Sequence, residues 1–278
     1  HPDRKANLDM CIHFLRVHFD TKIAVAEWGT DQHFAYTKDF GAYTHYKQTG
    51  AFHRTRMLND MAMAATTPYV FNYDADVFFD PEQILACINK LRTGKASACY
   101  PYDGRFYRVD RQYMHLLANT MHVSDLLHLP YPAKSHTETS YGGAIAWNKQ
   151  KFIAFGLENE NMVSFGPEDY ERFDRAKRLG FFVDRVNGPL FHINHYTGPD
   201  SSTTNPHFKQ NWAEYDKIKT LPDHRLTEYI ESWPWRKAAA ETLSTKPAPN
   251  SPYDEKFYQE INESALRSAD IILPILRQ

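Results

Sequence analysis

Apolar side chains at Leu8, Cys11, Ile12, Leu15 and Phe19 recur at helical spacing and predict a first helix over Asp3–Phe19. Lys22–Ala26 follows as a short strand, and Arg54–Ala65 reads as a helix with Met57, Met61 and Ala64 or Ala65 on one face. Tyr69–Tyr73 is an apolar strand that runs straight into an acidic tripeptide, Asp74-Ala75-Asp76. Pro81 suits the first turn of a helix through Leu91, and Ala96–Tyr100 reads as another strand. Asp110–Leu127 is mainly helical, Pro130–Thr139 is a polar loop, Ala144–Trp147 is a strand and Lys149–Phe155 a short helix. Pro167 with Glu168 and Asp169 opens a helix to Leu179, since proline fits the first turn and acids favour the positive end of the dipole. Gly180 ends it, and Phe181–Val186 and Leu190–Asn194 read as strands.

Strands alternating with helices point to an α/β class, a mixed central sheet flanked by helices. The character changes after Gly198. Pro199–Pro206 is a polar loop, Phe208–Lys219 and Arg225–Ser232 are helical, Ser244–Pro252 is a linker, and Asp254–Ile272 is expected as a last helix. Residues 1–220 are therefore expected as the main domain and 221–278 as a helical C-terminal extension. An open nucleotide-binding sheet normally starts with a buried strand ahead of its first helix. None precedes Asp3.

Composition narrows the function classes. The 278 residues carry 32 basic and 34 acidic side chains, a net charge of −2, which gives no electrostatic basis for bulk nucleic-acid binding. Aromatics reach 14%, which fits either a Phe-rich core or a sugar-stacking cleft. Cys11, Cys87 and Cys99 are scattered, so neither a disulfide framework nor a structural zinc site is expected. No run approaches the ~20 apolar residues of a membrane span. With no leader visible, the chain is expected in the cytoplasm, with association at the inner membrane face left open.

Four stretches carry candidate chemistry. Asp74 and Asp76 end a strand, where ligands of α/β sheets gather, and hard divalent ions prefer carboxylate oxygens. The alternative is a solvated strand-end turn. His192 and His195 close another strand and are candidate metal ligands if that strand passes Asp76; a structural histidine is the plainer alternative. Glu168-Asp169 offers a general base at a helix start, or simple dipole compensation. Gly142-Gly143 permits close backbone approach to a ligand, or marks a turn. The chain lacks the phosphate loop G-x-x-x-x-G-K, the dinucleotide fingerprint G-x-G-x-x-G and the hydrolase elbow G-x-S-x-G.

Together these stretches resemble the inverting GT-A glycosyltransferases, in particular their β-1,4-galactosyltransferase-like branch. The resemblance is carried by F-H-R-T-R-M-L-N (Phe52–Asn59), F-N-Y-D-A-D-V (Phe71–Val77), the Gly142-Gly143 segment with G-P-E-D (Gly166–Asp169), and H-I-N-H (His192–His195) followed by Asn205-Pro206. It implies Phe52 and Arg54 at the nucleotide, with Arg4 supplying part of the base contact. It implies Asp76 and His195 on manganese (or magnesium), His192 where some relatives place a methionine ligand, and Asp74 near the ribose or the metal. Gly142 and Gly143 would face the donor sugar, Glu168 would hold sugar hydroxyls and Asp169 would be the base. Phe165 stands where relatives put the tryptophan on which the acceptor packs. The implied partners are a UDP-sugar, galactose or N-acetylgalactosamine preferred, and a glycan or glycoconjugate acceptor. UDP-glucose or UDP-N-acetylglucosamine in bacterial surface-polysaccharide synthesis, a silent glycan-binding module, and a metal-dependent phosphohydrolase or nucleotidyltransferase are the competing readings.

Overall fold

The computed structural model describes residues 2–34, 41–130, 139–198, 201–245 and 269–275. The chain opens with helix α1 (Pro2–His18), strands β1 (Lys22–Gly29) and β2 (Ala42–Lys47), helix α2 (Arg54–Ala64) and strands β3 (Tyr69–Tyr73) and β4 (Val77–Phe78). Helix α3 (Pro81–Arg92), β5 (Ala98–Tyr100), β6 (Phe106–Val109), α4 (Met114–Thr120), β7 (Ala144–Asn148), α5 (Lys149–Phe155) and α6 (Glu168–Arg178) follow. Strands β8 (Val183–Arg185) and β9 (Leu190–Ile193) precede helices α7 (Phe208–Thr220), α8 (Asp223–Glu231) and α9 (Pro234–Thr245), and strand β10 (Ala269–Ile275) comes last.

The main sheet is mixed, in the order β2-β1-β10-β3-β7-β5-β8. Strands β2, β1, β10 and β3 run parallel, and β7 is antiparallel to both β3 and β5. All five residues of β3 are buried, as a central strand covered on both faces requires. Helix α1 contributes Leu8, Cys11, Ile12, Phe14 and Leu15 to the core, and α2 contributes Met57, Leu58, Met61 and Ala62. Leu58 and Ala62 thus take inward places where the helical spacing suggested Ala64 or Ala65. The expected mixed sheet flanked by helices is what the chain forms.

The end of the chain differs from expectation. Of the last helix expected over Asp254–Ile272, residues 254–268 lie outside those described, and 269–275 form a strand inside the main sheet. Ile271–Leu273 is a short apolar run, and such runs do not distinguish a buried strand from a helix by periodicity. Strand β10 lies between β1 and β3 in that sheet and is parallel to both. The expected linker Ser244–Pro252 also begins late, because Ser244 and Thr245 belong to α9; the rest of it is outside the described residues, as are 131–138 of the polar loop and 199–200 of the next. Among the described residues, no helix is long and apolar enough to cross a membrane.

A smaller sheet, β4-β9-β6, positions the site. Strand β4 leaves the acidic tripeptide and pairs antiparallel with β9, placing Val77 opposite His192. The amide of Ile193 donates to the carbonyl of Asp76 at 2.9 Å. That pairing draws His192–His195 onto Asp74-Ala75-Asp76. Strand β6 lies parallel on the other side of β9 and sets Arg108 opposite His192.

Candidate functional site

A cleft of about 370 Å³ opens where β3, the start of α6 and the end of β9 converge. Arg4, Phe52, Arg54, Asp74, Asp76, Phe165, Glu168, Asp169, His192 and His195 all line it, so ten of the sequence-derived candidates share one space. Gly142 and Gly143 stand behind it. The carbonyl of Gly143 accepts from the amide of Asp74 at 2.8 Å, joining the glycine pair to the acidic strand end. Gly143 has φ +89, and a Cβ there would collide with Leu190. A Cβ on Gly142 would lie 2.7 Å from Asp169 Oδ2. Gly142 therefore makes room for Asp169, and Gly143 for Leu190.

One wall collects metal-ligand chemistry. Asp76, His192 and His195 each offer a donor atom, all within 4.8 Å of one another. His195 Nε2 lies 2.9 Å from Asp76 Oδ2, and His192 Nε2 lies 3.6 Å from Asp76 Oδ1. His195 Nδ1 faces the carbonyl of Tyr196 at 2.7 Å, the outer hydrogen bond that fixes the tautomer of a ligating imidazole. His192 Nδ1 is buried without a hydrogen-bond partner among the described residues. Burial lowers the His192 pKa, against the pull of Asp76, and so favours the neutral, ligating form. Burial pushes Asp76 up, but His192, His195 and Arg4 outweigh it and hold the carboxylate at about 2. One ionised carboxylate beside two imidazoles suits a first-row transition cation, Mn²⁺ among them, better than Mg²⁺.

The opposite wall holds the acids of α6. Arg54, the first residue of α2, reaches Asp74 Oδ1 at 2.6 Å, Glu168 Oε1 at 3.5 Å and Asp169 Oδ1 at 3.8 Å. Burial and the Asp169 charge raise Glu168 to about 8 despite Arg54, so this acid is largely protonated at neutral pH. Glu168 Oε2 is buried and has no hydrogen-bond partner among the described residues. Burial also raises Asp74, with Asp76 and Asp169 adding to it and Arg54 opposing. At the mouth, burial lowers the Arg4 guanidinium while Asp76 and Asp74 oppose the shift, and its NH2 donates to Ser201 Oγ at 3.2 Å.

Several residues of the site escaped the sequence reading. Arg172 donates to Asp169 Oδ1 at 2.5 Å and to both carboxylate oxygens of Glu158 at 3.1 Å. Its place three residues after Asp169, on the same helical face, was the available signal. Arg108 lines the cleft from β6, a four-residue strand without the apolar–polar alternation that marks a strand in sequence. Asn211 of α7 accepts from the amide of Val163 at 3.1 Å and donates to the carbonyls of Val163 and Phe165 at 2.7 and 2.9 Å. It clamps the loop before α6, where Ser164 sits in the left-handed region at φ 62. Asn205, next to Pro206, donates to Ser164 Oγ at 2.7 Å instead of joining the Asp76–histidine group. Phe165 stacks on Phe208 of α7 with ring centroids 5.9 Å apart.

No family model matches the chain, and no curated protein matches it. Solved structures similar to it include the crystal structure of GalNAc-T7 with UDP, GalNAc and Mn²⁺, at 12% identity and a TM-score of 0.41. That alignment covers 88% of this chain and 57% of the other, so the chain spans little more than half of its length.

Proposed function

We propose that this chain is a metal-dependent inverting glycosyltransferase of the GT-A kind, moving a hexose from a UDP-sugar to a hydroxyl of a glycan. The observation that supports it most is one cleft with a carboxylate–imidazole group on one wall and the Glu168–Asp169 pair on the other. That is the division of labour a single displacement needs: charge neutralisation at the leaving group and proton removal at the nucleophile.

Asp76, His192 and His195 would hold the cation. When bound, it supplies positive charge that offsets the charge building on the departing diphosphate. Arg4 and Arg108 add cationic charge on the same side. In the step itself an acceptor oxygen bonds to the anomeric carbon while the bond to the diphosphate oxygen breaks, its electron pair leaving with UDP. The acceptor's proton passes to the carboxylate of Asp169. Glu168, protonated at neutral pH, donates a hydrogen bond to a sugar hydroxyl and fixes the ring. Phe52 and Arg54, which line the cleft, would contact the nucleotide, and Phe165 would offer an aromatic face to the acceptor. Galactose or N-acetylgalactosamine is the preferred donor sugar on the sequence resemblance.

A thermal-shift panel of UDP-, GDP- and CMP-sugars with and without Mn²⁺ tests the reading. Stabilisation by UDP compounds that depends on Mn²⁺ is expected; no shift with any UDP compound would overturn it. Transfer abolished by Asp169→Asn with UDP binding retained separates an enzyme from a silent glycan-binding module. Release of a phosphosugar without acceptor would mark a phosphohydrolase.

A further inference from the structure

The Glu158–Arg172 pair is more deeply buried than anything the proposed chemistry touches: the two side chains are 1% and 2% exposed. Taking two charges out of water is costly, and an apolar pair of similar volume is often no less stable. The geometry suggests what this pair achieves. Arg172 uses one guanidinium nitrogen for Glu158 and the other for Asp169 Oδ1 and the carbonyl of Tyr141, the latter at 3.3 Å. The fork thus holds both the carboxylate of Asp169 and the residue preceding Gly142.

Glu158 is itself fixed from two elements. Asn72 of β3 donates to Glu158 Oε1 at 2.9 Å. Asn59 of α2 accepts from the Glu158 amide at 2.8 Å and donates to its carbonyl at 3.0 Å. Strand β3 delivers Asp74 and Asp76, and α2 begins with Arg54. The orientation of Asp169 is therefore referenced, through Arg172 and Glu158, to the elements that carry Arg54, Asp74 and Asp76. Arg54 cannot take over this task, because it lies at 3.8 Å from Asp169 and is already bonded to Asp74 at 2.6 Å.

We propose that Arg172, anchored by Glu158, is a positioning residue that orients Asp169: it ties up Oδ1 and leaves Oδ2 to take the acceptor's proton. The inference rests on the transferase reading for the identity of the base. A planar, bidentate cation is required, since a lysine ammonium cannot span both carboxylates with the same fixed fork.

Arg172→Met alone would strand the Glu158 charge and could unfold the protein, so the decisive variant is Glu158→Gln/Arg172→Met, which removes both buried charges together. It is expected to fold and to bind UDP with Mn²⁺ within about threefold of the parent, while kcat stays roughly 100-fold down, the scale of a misplaced reacting group. Adding Asp169→Asn to it should cost little more than Asp169→Asn alone, because groups acting as a unit are not additive. Arg172→Lys should recover only part of the loss. Restored turnover in the charge-free double variant, or losses that multiply with Asp169→Asn, would show a purely structural pair and overturn the inference. A crystal structure of the double variant gives a readout without turnover: the Asp169 carboxylate is expected to move by about 1 Å or more. An unmoved carboxylate overturns the proposal. If the parent transfers from no UDP-sugar, the functional reading fails, and that structure alone decides the positioning role.

Discussion

His195 faces Asp76 with Nε2 and the carbonyl of Tyr196 with Nδ1, at 2.9 and 2.7 Å. An imidazole fixed at one nitrogen and aimed with the other at an ionised carboxylate is prepared to share a cation with it.

Replacing Asp76 with Asn or His195 with Ala should therefore weaken Mn²⁺ binding by at least about 100-fold. The fold should survive, since both side chains line a cleft and neither fills the core. Mn²⁺ should bind more tightly than Mg²⁺, because two of the three donors are imidazoles, which suit the softer ion better. Affinity should fall as pH drops, because metal binding requires deprotonated ligands. Titration calorimetry with each ion, across a pH series, checks all of this; equal affinity for the two ions in parent and variants would remove the site.

Glu168 gives a stability signature with a definite sign. Its folded pKa, about 8, lies above its ordinary value of 4.5. Between those values the folded state binds more protons than the unfolded state, so this group's contribution is fully present below the ordinary value and is lost as pH rises through about 8. The Glu168→Gln variant carries a neutral side chain at every pH and should lack the dependence. The Tm difference, parent minus variant, should decline from about pH 5 to about pH 9. A flat or rising difference contradicts the assignment of a protonated acid.

Gly142 is a steric prediction. An alanine methyl at this position meets Asp169 Oδ2 at 2.7 Å, and Asp169 must turn away. Transfer should drop by about 100-fold with little change in Tm, because the displaced group is a cleft carboxylate and not a core side chain. Gly143→Ala should instead lower Tm, since its φ of +89 and the collision with Leu190 place the strain in the packed interior. If Gly142→Ala retains full activity in a transfer assay, Asp169 is not the group that the glycine makes room for.

These contrasts also show which parts of the molecule local sequence could reveal. Strand β3 was legible because an unbroken apolar run ended in two aspartates, and α6 because Pro167 and two acids mark a helix start. The gathering of Asp76 with His192 and His195 was legible as a question: it depended on whether β9 passes the acidic motif, and the β4–β9 pairing answers it. Arg172 could be placed beside Asp169 from helical spacing, but its pairing with Glu158 was not legible, because Glu158 lies outside the helix and the ion pair exists only once α6 packs beside β3 and α2. Strand β10 was misread because its apolar run is short and its pairing partners, β1 and β3, lie at the far end of the sequence.

That strand yields the last prediction. Its backbone pairs with β1 through Lys22–Glu27 and with β3 through Tyr69–Asn72, so it lies in the middle of the sheet. Removing it would separate the half of the sheet that carries β1 from the half that leads to Asp74 and Asp76, and would leave two unpaired strand edges facing each other. Unpaired backbone groups in a buried position cost as much as lost hydrogen bonds, and exposed edges invite aggregation. A chain ending at residue 268 should therefore unfold without a cooperative transition, or aggregate, and should not bind UDP. A synthetic peptide of residues 269–278 added in trans should restore a cooperative melt in a concentration-dependent way, since a segment that binds the folded state alone stabilises it by mass action. A truncated chain that melts cooperatively at the parent's Tm would show that the sheet closes without β10.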